Sequence, residues 1–401
     1  MKILADDIKF HINNLAKITE TNHPFTRLVF TNTYEEGRKY IKNHFLNLGL
    51  NVIYDDFANM LAIKKGKSNE CIIIGSHSDT VASGGRFDGV LGVVSAMVIA
   101  TALKDIQLDK TLIFCDYLGE EPNYFGLSCV GSRGMSGNLS KEQLDIKVND
   151  TKLSDMIIKS GGNKSFRTFN ELGIGKLIES YELHIEQGNM LESLNTKIGI
   201  VNKIVGISRF NVEFKGLSNH AGTTAMHLRK DALLNSSKFI VWLNDKAIEY
   251  SKQAYTVATV GACSVMPNAA NVISNSVKIS IDLRSEDDLI RINFIKEIEE
   301  KLKDLDANYK LVSDSNATPA DDLIIKNLKQ TADELQVSNI IMPSGAGHDS
   351  AFIAKIASMG MIFIPSKNGL SHHPDEESSF EDAAIGTQII LNNILRSGYE
   401  K

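Results

Sequence analysis

The chain has few cysteines and no block of basic residues, and each absence excludes a class of protein. Its four cysteines, at positions 71, 115, 129 and 263, are scattered among 401 residues and form no Cys-x-x-Cys pair. This spacing excludes a disulfide framework and favours buried, reduced cysteines in a cytoplasmic protein. A formal net charge of −6 without a Lys/Arg cluster provides no footprint for nucleic acid, which is therefore not an expected partner.

From its sequence, we expect the chain to have neither a membrane helix nor a signal peptide. No stretch approaches the roughly 20 apolar residues that a membrane helix needs. The amino terminus meets Asp6 and Asp7 before it can form the apolar core of a signal peptide. The longest apolar stretch, residues 90–103, is interrupted by Gly92 and Ser95 and predicts a helix buried against a sheet. We therefore expect no membrane contact and a cytoplasmic location.

Strand and helix patterns alternate through the first half of the chain. The predicted strands are 51–54, 60–64, 71–75, 111–117 and 180–184. The predicted helices are 5–18, 33–48 and 90–103, and Thr33 is placed to cap the second of them. Strands separated by helices predict an α/β fold with a mixed central sheet, most of whose strands run parallel.

The pattern changes near residue 206. Residues 207–317 predict the order β-α-β-β-α-β, which is that of the ferredoxin-like split unit. The α/β pattern returns at residue 318, and a chain of 401 residues is too long for one ordinary core. We therefore predict an α/β domain formed by residues 1–206 and 318–401, interrupted by an inserted domain over residues 207–317.

The most informative segment follows the apolar strand at 71–75. It presents His77, Asp79 and Asp88 within a dozen residues. A strand end fixes such side chains while the following turn leaves them open to substrate, as a zinc-type site requires. Glycine at position 89, next to Asp88, lets the chain bend closely around an ion.

Two other predicted strands have acidic or basic residues at or just after their carboxyl ends. Glu120 and Glu121 come just after the strand at 111–117. Adjacent carboxylates at a strand end favour one metal ligand beside one acid–base group, with a solvated surface turn as the alternative. His184 ends another apolar strand, where a core histidine is the commoner outcome and a ligand the alternative.

Two segments near the carboxyl terminus also carry residues that packing does not explain. The loop 345–349, Gly-Ala-Gly-His-Asp, precedes a helix predicted over 350–357. It is suited either to an anionic substrate group at the start of that helix or to a simple tight turn. His372 and His373 stand next to each other before a proline, and only one of them easily faces a given point.

Together these segments place five donors at strand ends of one α/β layer, namely His77, Asp88, Glu121, His184 and His372. The set suffices for two divalent ions, with Asp88 bridging and two further ligands for each ion. Nitrogen and oxygen donors without cysteine fit Zn²⁺, with Mn²⁺, Co²⁺ or Ni²⁺ as alternative occupants. Such a pair lowers the pKa of a shared water and polarises a substrate carbonyl.

A series of motifs in this chain resembles that of a known enzyme family. In order they are Gly-Ser-His-Ser-Asp-Thr-Val, Phe-Asp-Gly-Val-Leu-Gly, Glu-Glu, His-Ile-Glu-Gln-Gly, Asn-His-Ala-Gly-Thr-Thr, Pro-Asn-x-x-Asn-Val-Ile, Asp-Leu-Arg-Ser, Gly-Ala-Gly-His-Asp and Ser-His-x-Pro. They span residues 15–395 and resemble the M20 metallopeptidase-like amidohydrolases. The nearest branch is that of N-carbamoyl-L-amino-acid hydrolases, β-ureidopropionases and allantoate amidohydrolases.

The resemblance implies a role for each residue of the metal centre. It makes His77, Asp88 and His184 the ligands of one ion, and Asp88, Glu121 and His372 the ligands of the other. It makes Glu120 the general base that takes a proton from the attacking water and delivers it to the leaving nitrogen. Asp79 is implied to hydrogen-bond His77 and to set its tautomer.

The resemblance also implies that the insertion is a lid and a dimerisation domain. His220 matches the histidine that reaches across a homodimer to stabilise the oxyanion. Asn271 and Arg284 match lid residues that hold the substrate carboxylate, for which a planar guanidinium is suited. Gln187 is implied to bind the ureido end of the substrate.

The implied reaction is hydrolysis of a ureido or amide C–N bond in a small carboxylate substrate, favouring an N-carbamoyl-L-amino acid. Arg209 is similar to an arginine of allantoate-type members, so allantoate is the first alternative. An aminoacylase or dipeptidase of the same family and a non-catalytic binding protein are the others. Pro122, Tyr124, Ala225 and His373 depart from the family pattern, which bears on the substrate and not on the reaction class.

Overall fold

The computed structural model describes residues 1–398. Its strands are β1 Asn51–Tyr54, β2 Met60–Lys64, β3 Glu70–His77, β4 Thr111–Tyr117, β5 Lys147–Val148, β6 Thr151–Lys152, β7 Lys176–Ile185, β8 Ile198–Ile204, β9 Gly206–Lys215, β10 Thr256–Met266, β11 Ser276–Ser285, β12 Asn308–Ser315, β13 Thr318–Pro319, β14 Asn339–Ser344 and β15 Ser358–Ile364. Its α-helices are α1 Ala5–Ala16, α2 Asn32–Asn47, α3 Val90–Ala102, α4 Val130–Met135, α5 Lys141–Leu144, α6 Leu153–Lys159, α7 Met190–Ser193, α8 Ala232–Ser251, α9 Asp288–Asp304, α10 Asp322–Glu334, α11 Ser350–Ile353 and α12 Phe380–Ser397. Short 3₁₀ helices lie at Phe169–Glu171, Met226–Leu228 and Lys367–Gly369.

The chain divides into two compact units. The first consists of Met1–Asn202, Pro319–Met342 and Gly347–Lys401. The second consists of Lys203–Thr318 and Pro343–Ala346. Within the described residues, none of the helices is both long enough and apolar enough to cross a bilayer.

The main sheet has the strand order β1-β2-β4-β3-β7-β15-β8-β13, with β14 paired to β8. Its central pairs, β4 with β3, β3 with β7 and β7 with β15, are parallel. The pairs β1 with β2, β2 with β4 and β15 with β8 are antiparallel. The predicted α/β fold with a mixed central sheet is therefore confirmed.

The central strands β3 and β4 have long apolar runs because helices cover the sheet. In β3, Cys71–Ile74 is fully or almost fully buried. Helix α3 packs on β3, and α1 and α12 pack on α3. Apart from its last two residues, α3 is buried on every side, which explains the long apolar stretch in the sequence. A parallel sheet buried on its faces requires such uninterrupted apolar runs.

The sequence predicted several elements to the residue and misplaced others. Strands β1, β2 and β4 have the predicted bounds. Thr31, not Thr33, caps α2, because the Thr31 hydroxyl accepts a hydrogen bond from the backbone N–H of Tyr34. The helix predicted over 350–357 ends at Ile353.

The second unit contains one antiparallel sheet and two long helices. Along the chain its elements run β9, α8, β10, β11, α9 and β12, and in the sheet the strands are ordered β10-β11-β9-β12. Alternate residues of β9 and β11, such as Phe210 and Ile279, are buried in one cluster with Phe239 of α8 and Phe294 of α9. The residues between them, such as Arg209, lie on the opposite, more exposed face.

Candidate metal centre

Three neighbouring parallel strands bring three of the five predicted ligands to one edge of the main sheet. His77 is the last residue of β3, and His184 lies near the end of β7. Glu120 and Glu121 follow the end of β4, three and four residues after Tyr117. Because β4, β3 and β7 are adjacent and parallel, their carboxyl ends meet at the same edge, where α/β proteins form their sites.

The ligand atoms form two groups that share one carboxylate. His77, Asp88 and His184 make one group, and Asp88, Glu121 and His372 make the other, each with its ligand atoms within 4.8 Å of one another. Oδ1 of Asp88 is 3.3 Å from Nε2 of His184, and its Oδ2 is 3.0 Å from Nε2 of His372. The two oxygens of Asp88 therefore face different imidazoles, which is the arrangement of a bridging carboxylate.

The hydrogen bonds of two buried histidines fix which nitrogen faces the cluster. Nδ1 of His77 lies 3.0 Å from the backbone oxygen of Asp79, and Nδ1 of His184 lies 2.9 Å from that of Ile185. A carbonyl accepts, so each Nδ1 carries the proton and each Nε2 presents its lone pair. Both imidazoles are thus held in the tautomer that binds a metal ion.

Asp79 contacts the backbone of the Glu-Glu turn as well as His77. Its Oδ1 and Oδ2 accept hydrogen bonds from the backbone N–H groups of Glu120 and Glu121, at 3.2 and 3.1 Å. Its own carboxylate is 3.5 Å from Nδ1 of His77, farther than its backbone oxygen. The carboxylate of Asp79 therefore connects the end of β3 to the turn that contains Glu120 and Glu121. The backbone oxygen of Asp79 is closer to the imidazole of His77 than its carboxylate is.

Gln187 and His372 lie beside the shared carboxylate. Nε2 of Gln187 donates to Oδ1 of Asp88 at 3.0 Å and to the hydroxyl of Ser371 at 3.2 Å. Nε2 of His372 is also 3.1 Å from Oε1 of Glu121. Gln187 and His372 both have positive φ, at 60° and 54°, a conformation that strains the backbone of residues other than glycine.

Glu120 is held between a histidine and a thiol. Its Oε2 is 3.7 Å from Nε2 of His77, and its Oε1 accepts from Sγ of Cys129 at 3.3 Å. The side chain thus points to the ligand cluster without being part of either group of three.

Electrostatically, the centre is rich in negative charge. Burial raises the pKa of Glu120, and the neighbouring charge of Glu121 raises it further. The pKa of His372 is raised to about 10 by its hydrogen bonds with Asp88 and Glu121. The effect of Glu121 on Glu120 and the raised pKa of His372 both reflect nearby negative charge, which favours cations. Oxygen and nitrogen donors, fixed tautomers and a shared carboxylate fit a pair of divalent ions.

Two residues without a predicted role support the centre. Glu376 is 2% exposed, and its Oε1 accepts hydrogen bonds from the backbone N–H groups of Phe87 and Asp88 at 2.7 and 3.1 Å. Its Oε2 accepts from the hydroxyl of Ser371 at 3.2 Å. Glu182 accepts from the hydroxyl of Ser76 at 2.7 Å. The only sequence signal for Glu376 is its position in the segment that contains His372.

The other predicted site residues lie in the second unit. Ala221 donates a backbone hydrogen bond to Asn271, at 2.9 Å, which brings the segments of His220 and Asn271 together. Nδ1 of His220 accepts from the N–H of Gly222 at 3.1 Å. Its Nε2 therefore carries the proton and is able to donate a hydrogen bond.

Arg209 and Arg284 lie on the sheet of this unit and both bind Asp282. Burial raises the pKa of Asp282, but hydrogen bonds and charge from Arg284 and Arg209 outweigh it and leave the pKa lowered. Nη1 of Arg284 also donates to the backbone oxygen of Gly345 at 2.9 Å. One residue of the loop 345–349 thus contacts Arg284.

Known proteins resemble this chain over nearly its whole length. An N-carbamoyl-L-amino-acid amidohydrolase of Pseudomonas sp. (strain NS671) is 34% identical over 98% of this chain and 98% of its own. A ureidoglycolate hydrolase of Arabidopsis thaliana is 33% identical, covering 97% of this chain and 86% of its own. An allantoate amidohydrolase of Bacillus subtilis is 32% identical, covering 93% of each chain.

Solved structures and a family comparison agree with these relatives. The crystal structure of an amidase of the hydantoinase/carbamoylase family from Burkholderia multivorans has a TM-score of 0.89 at 26% identity, covering 100% of this chain and 99% of that chain. Residues 73–396 match the peptidase family M20/M25/M40. The chain therefore belongs to the peptidase family M20/M25/M40, as the order of its motifs predicted.

Proposed function

We propose that the chain is a metal-dependent amidohydrolase that cleaves the ureido or amide C–N bond of a small carboxylate substrate. The observation that carries this proposal is Asp88, whose two oxygens face two separate imidazoles at 3.3 and 3.0 Å. Glu120 stands beside this cluster and outside its ligand groups, as a proton-transfer residue requires. The favoured substrate is an N-carbamoyl-L-amino acid, which yields the amino acid, carbon dioxide and ammonia.

Each side chain has a distinct task in this reaction. When bound, two divalent ions supply an activated water and polarise the substrate carbonyl. Glu120 takes the proton of the attacking water and passes it to the leaving nitrogen. His220 donates a hydrogen bond to the oxyanion, a task that suits its protonated Nε2.

The remaining site residues bind the substrate. Arg284 and Asn271 hold its carboxylate, and Arg209 lies next to Arg284 on the same sheet. Gln187 binds the ureido end through its amide group, which lies beside Asp88. The ligands of one ion are His77, Asp88 and His184, and those of the other are Asp88, Glu121 and His372. Zn²⁺ is the favoured ion, with Mn²⁺, Co²⁺ or Ni²⁺ as alternatives.

We further propose that residues 207–317 form a ferredoxin-like lid and dimerisation domain inserted in a catalytic domain of residues 1–206 and 318–401. The β-α-β-β-α-β order of β9 to β12 supports this proposal. In a homodimer that forms through the lid, His220 of one subunit donates its hydrogen bond to the oxyanion in the other subunit. A cytoplasmic location agrees with the free cysteines, three of which are buried.

Allantoate is the second candidate substrate. Arg209, a cation beside Arg284, favours it because the second ureido group of allantoate offers a carbonyl oxygen to a guanidinium.

Ammonia release tests the proposed function. The purified protein loaded with Zn²⁺ or Mn²⁺ is expected to release ammonia from N-carbamoyl-L-amino acids or from allantoate. Glu120→Gln is expected to keep its metal and to lose about 10²- to 10⁴-fold in kcat, the usual contribution of a general base. A metal-loaded protein that releases no ammonia from any ureido substrate overturns the proposal. Full activity of Glu120→Gln refutes the role of Glu120.

A further inference from the structure

The start of helix α4 lies against the turn that carries Glu120. The backbone N–H of Cys129 donates to the carbonyl oxygen of Glu120 at 2.8 Å, and that of Val130 donates to the carbonyl oxygen of Gly119 at 3.0 Å. Cys129 precedes the helix with φ 53° and ψ 39°, a left-handed conformation that strains a residue with a Cβ. The backbone here favours glycine, so the presence of a cysteine points to a task for its side chain.

The thiol of Cys129 contacts the carboxylate of the same glutamate. Its Sγ lies 3.3 Å from Oε1 of Glu120. Cys129 is 4% exposed, and burial together with the charge of Glu120 raises the pKa of its thiol. The sulfur therefore keeps its proton and can donate a hydrogen bond to the carboxylate oxygen. Cys129 thus holds Glu120 at two points, one on the main chain and one on the side chain.

The two carboxylate oxygens of Glu120 have different surroundings. Oε1 faces the thiol, whereas Oε2 lies 3.7 Å from Nε2 of His77, on the side of the ligand cluster. The terminal torsion of a glutamate has a broad energy minimum, so a carboxylate that nothing holds samples many orientations. A donor at Oε1 narrows this range and leaves Oε2 available to accept a proton. Asp79 binds the backbone N–H of Glu120, a contact that does not set the torsion of the carboxylate.

We propose that Cys129 is a positioning residue for Glu120. Its S–H group holds Oε1 and keeps Oε2 directed at the metal centre, where the proton of the attacking water is taken up. The inference rests on the proposed function, in which Glu120 is the general base. Cys129 belongs to neither group of metal ligands, so its loss is expected to slow proton transfer and to leave the binding of metal and substrate intact.

Two variants of Cys129 test this role through ammonia release from the ureido substrate that the wild type hydrolyses fastest. Cys129→Ala removes the donor and is expected to lower kcat by about threefold to thirtyfold, as for the loss of one hydrogen bond to a charged group. KM is expected to stay within about twofold of the wild type, with the metal content unchanged. Cys129→Ser restores a donor and is expected to recover most of the lost kcat.

Cys71→Ala is the matched control. Cys71 is also buried, and its Sγ donates to the backbone oxygen of Asn69 at 3.8 Å, near the end of β3 opposite to His77. Its replacement removes a buried thiol from the same unit without altering a contact of Glu120. We expect kcat and KM to remain those of the wild type. Equal losses of kcat in the two alanine variants would show a general effect of lost packing and overturn the inference.

A double-mutant cycle separates positioning from folding. A thiol that acts through Glu120 has no further effect once Glu120→Gln has removed the base, so adding Cys129→Ala to that variant is expected to leave its kcat unchanged. A purely structural role would lower kcat by the same factor in both backgrounds. Equal factors, or wild-type kcat in Cys129→Ala, overturn this inference and leave the proposed function standing. Absence of ammonia from every ureido substrate with the wild type overturns the proposed function, and this inference with it.

Discussion

Gly89 is the residue whose replacement most directly tests the packing of the metal centre. It has φ +65°, and an added Cβ would lie 2.3 Å from Nε2 of His77. We expect Gly89→Ala to displace His77, to weaken metal binding and to lower the free energy of unfolding by about 2–4 kcal/mol, from backbone strain and overpacking. Thermal unfolding and metal analysis measure these effects.

Gly126→Ala is the matched control for this prediction. Gly126 also has positive φ, +75°, but nothing lies within 4 Å of an added Cβ. Its replacement is expected to lower the free energy of unfolding by about 1 kcal/mol, from backbone strain alone, and to leave the metal content unchanged. Equal behaviour of the two variants would show that the close approach to His77 is unimportant.

Glu376 joins the two segments that carry Asp88 and His372. Removal of its carboxylate leaves two buried backbone N–H groups and the Ser371 hydroxyl without their acceptor. We expect Glu376→Ala to weaken metal affinity by about 10- to 100-fold, the usual effect of losing a residue that orients ligands. Competition with a chelator measures the affinity.

Glu377→Ala provides the comparison for Glu376→Ala. Glu377 is exposed and pairs with Lys367 at 2.7 Å, so its loss is expected to change metal affinity less than about twofold. Wild-type affinity in Glu376→Ala would refute the supporting role of that residue.

At the scale of elements, two histidines make the contact of α1 with α2 sensitive to acid. The rings of His11 and His44 are 4.7 Å apart, and burial together with the charge of His44 lowers the pKa of His11 to about 4. The unfolded chain binds a proton at His11 near pH 6.5, whereas the folded chain does not. Above pH 6.5 His11 is neutral in both states and does not affect the free energy of unfolding through protonation. As the pH falls from 6.5 towards 4, protonation of the unfolded chain lowers the free energy of unfolding.

The variant His11→Gln tests this pH dependence. Urea unfolding between pH 8 and pH 5 is expected to show a smaller loss of stability on acidification for His11→Gln than for the wild type. At pH 8 His11 is neutral in both states. The difference in the free energy of unfolding between His11→Gln and the wild type at this pH therefore measures the effect of the substitution on packing alone, and it serves as the control. Parallel curves for the two proteins would contradict the assignment.

Local patterns predicted the elements where one periodicity dominates. Strands β1, β2 and β4 have clear apolar runs between turn residues, and their bounds were predicted correctly. The cap of α2 was misplaced by two residues because Thr31 and Thr33 are equally good caps by local chemistry. Strand β8 was missed, since Asn202 and Lys203 interrupt its apolar pattern and its pairing with β15 is not local.

At the scale of the whole molecule, the candidate centre joins residues that are far apart in the chain. The His77 and His184 segments were predictable because each ends an apolar strand, and parallel strands bring such ends together. Glu376 was not predictable, because its partners at Phe87 and Asp88 are 289 and 288 residues away and are backbone groups without a sequence signature. The carboxylate Asp282 was likewise identified only by its two arginine partners in the folded sheet.

The proposed reaction depends on a two-ion centre with Asp88 as the shared ligand, and the metal content of the purified protein tests for this centre. After reconstitution and removal of free metal, elemental analysis is expected to give two ions per chain in the wild type. His372→Ala is expected to keep one ion, and Asp88→Ala is expected to lose affinity for both. A wild type that binds a single ion per chain, or an Asp88→Ala variant that keeps two, would show that Asp88 is not the shared ligand of a two-ion centre.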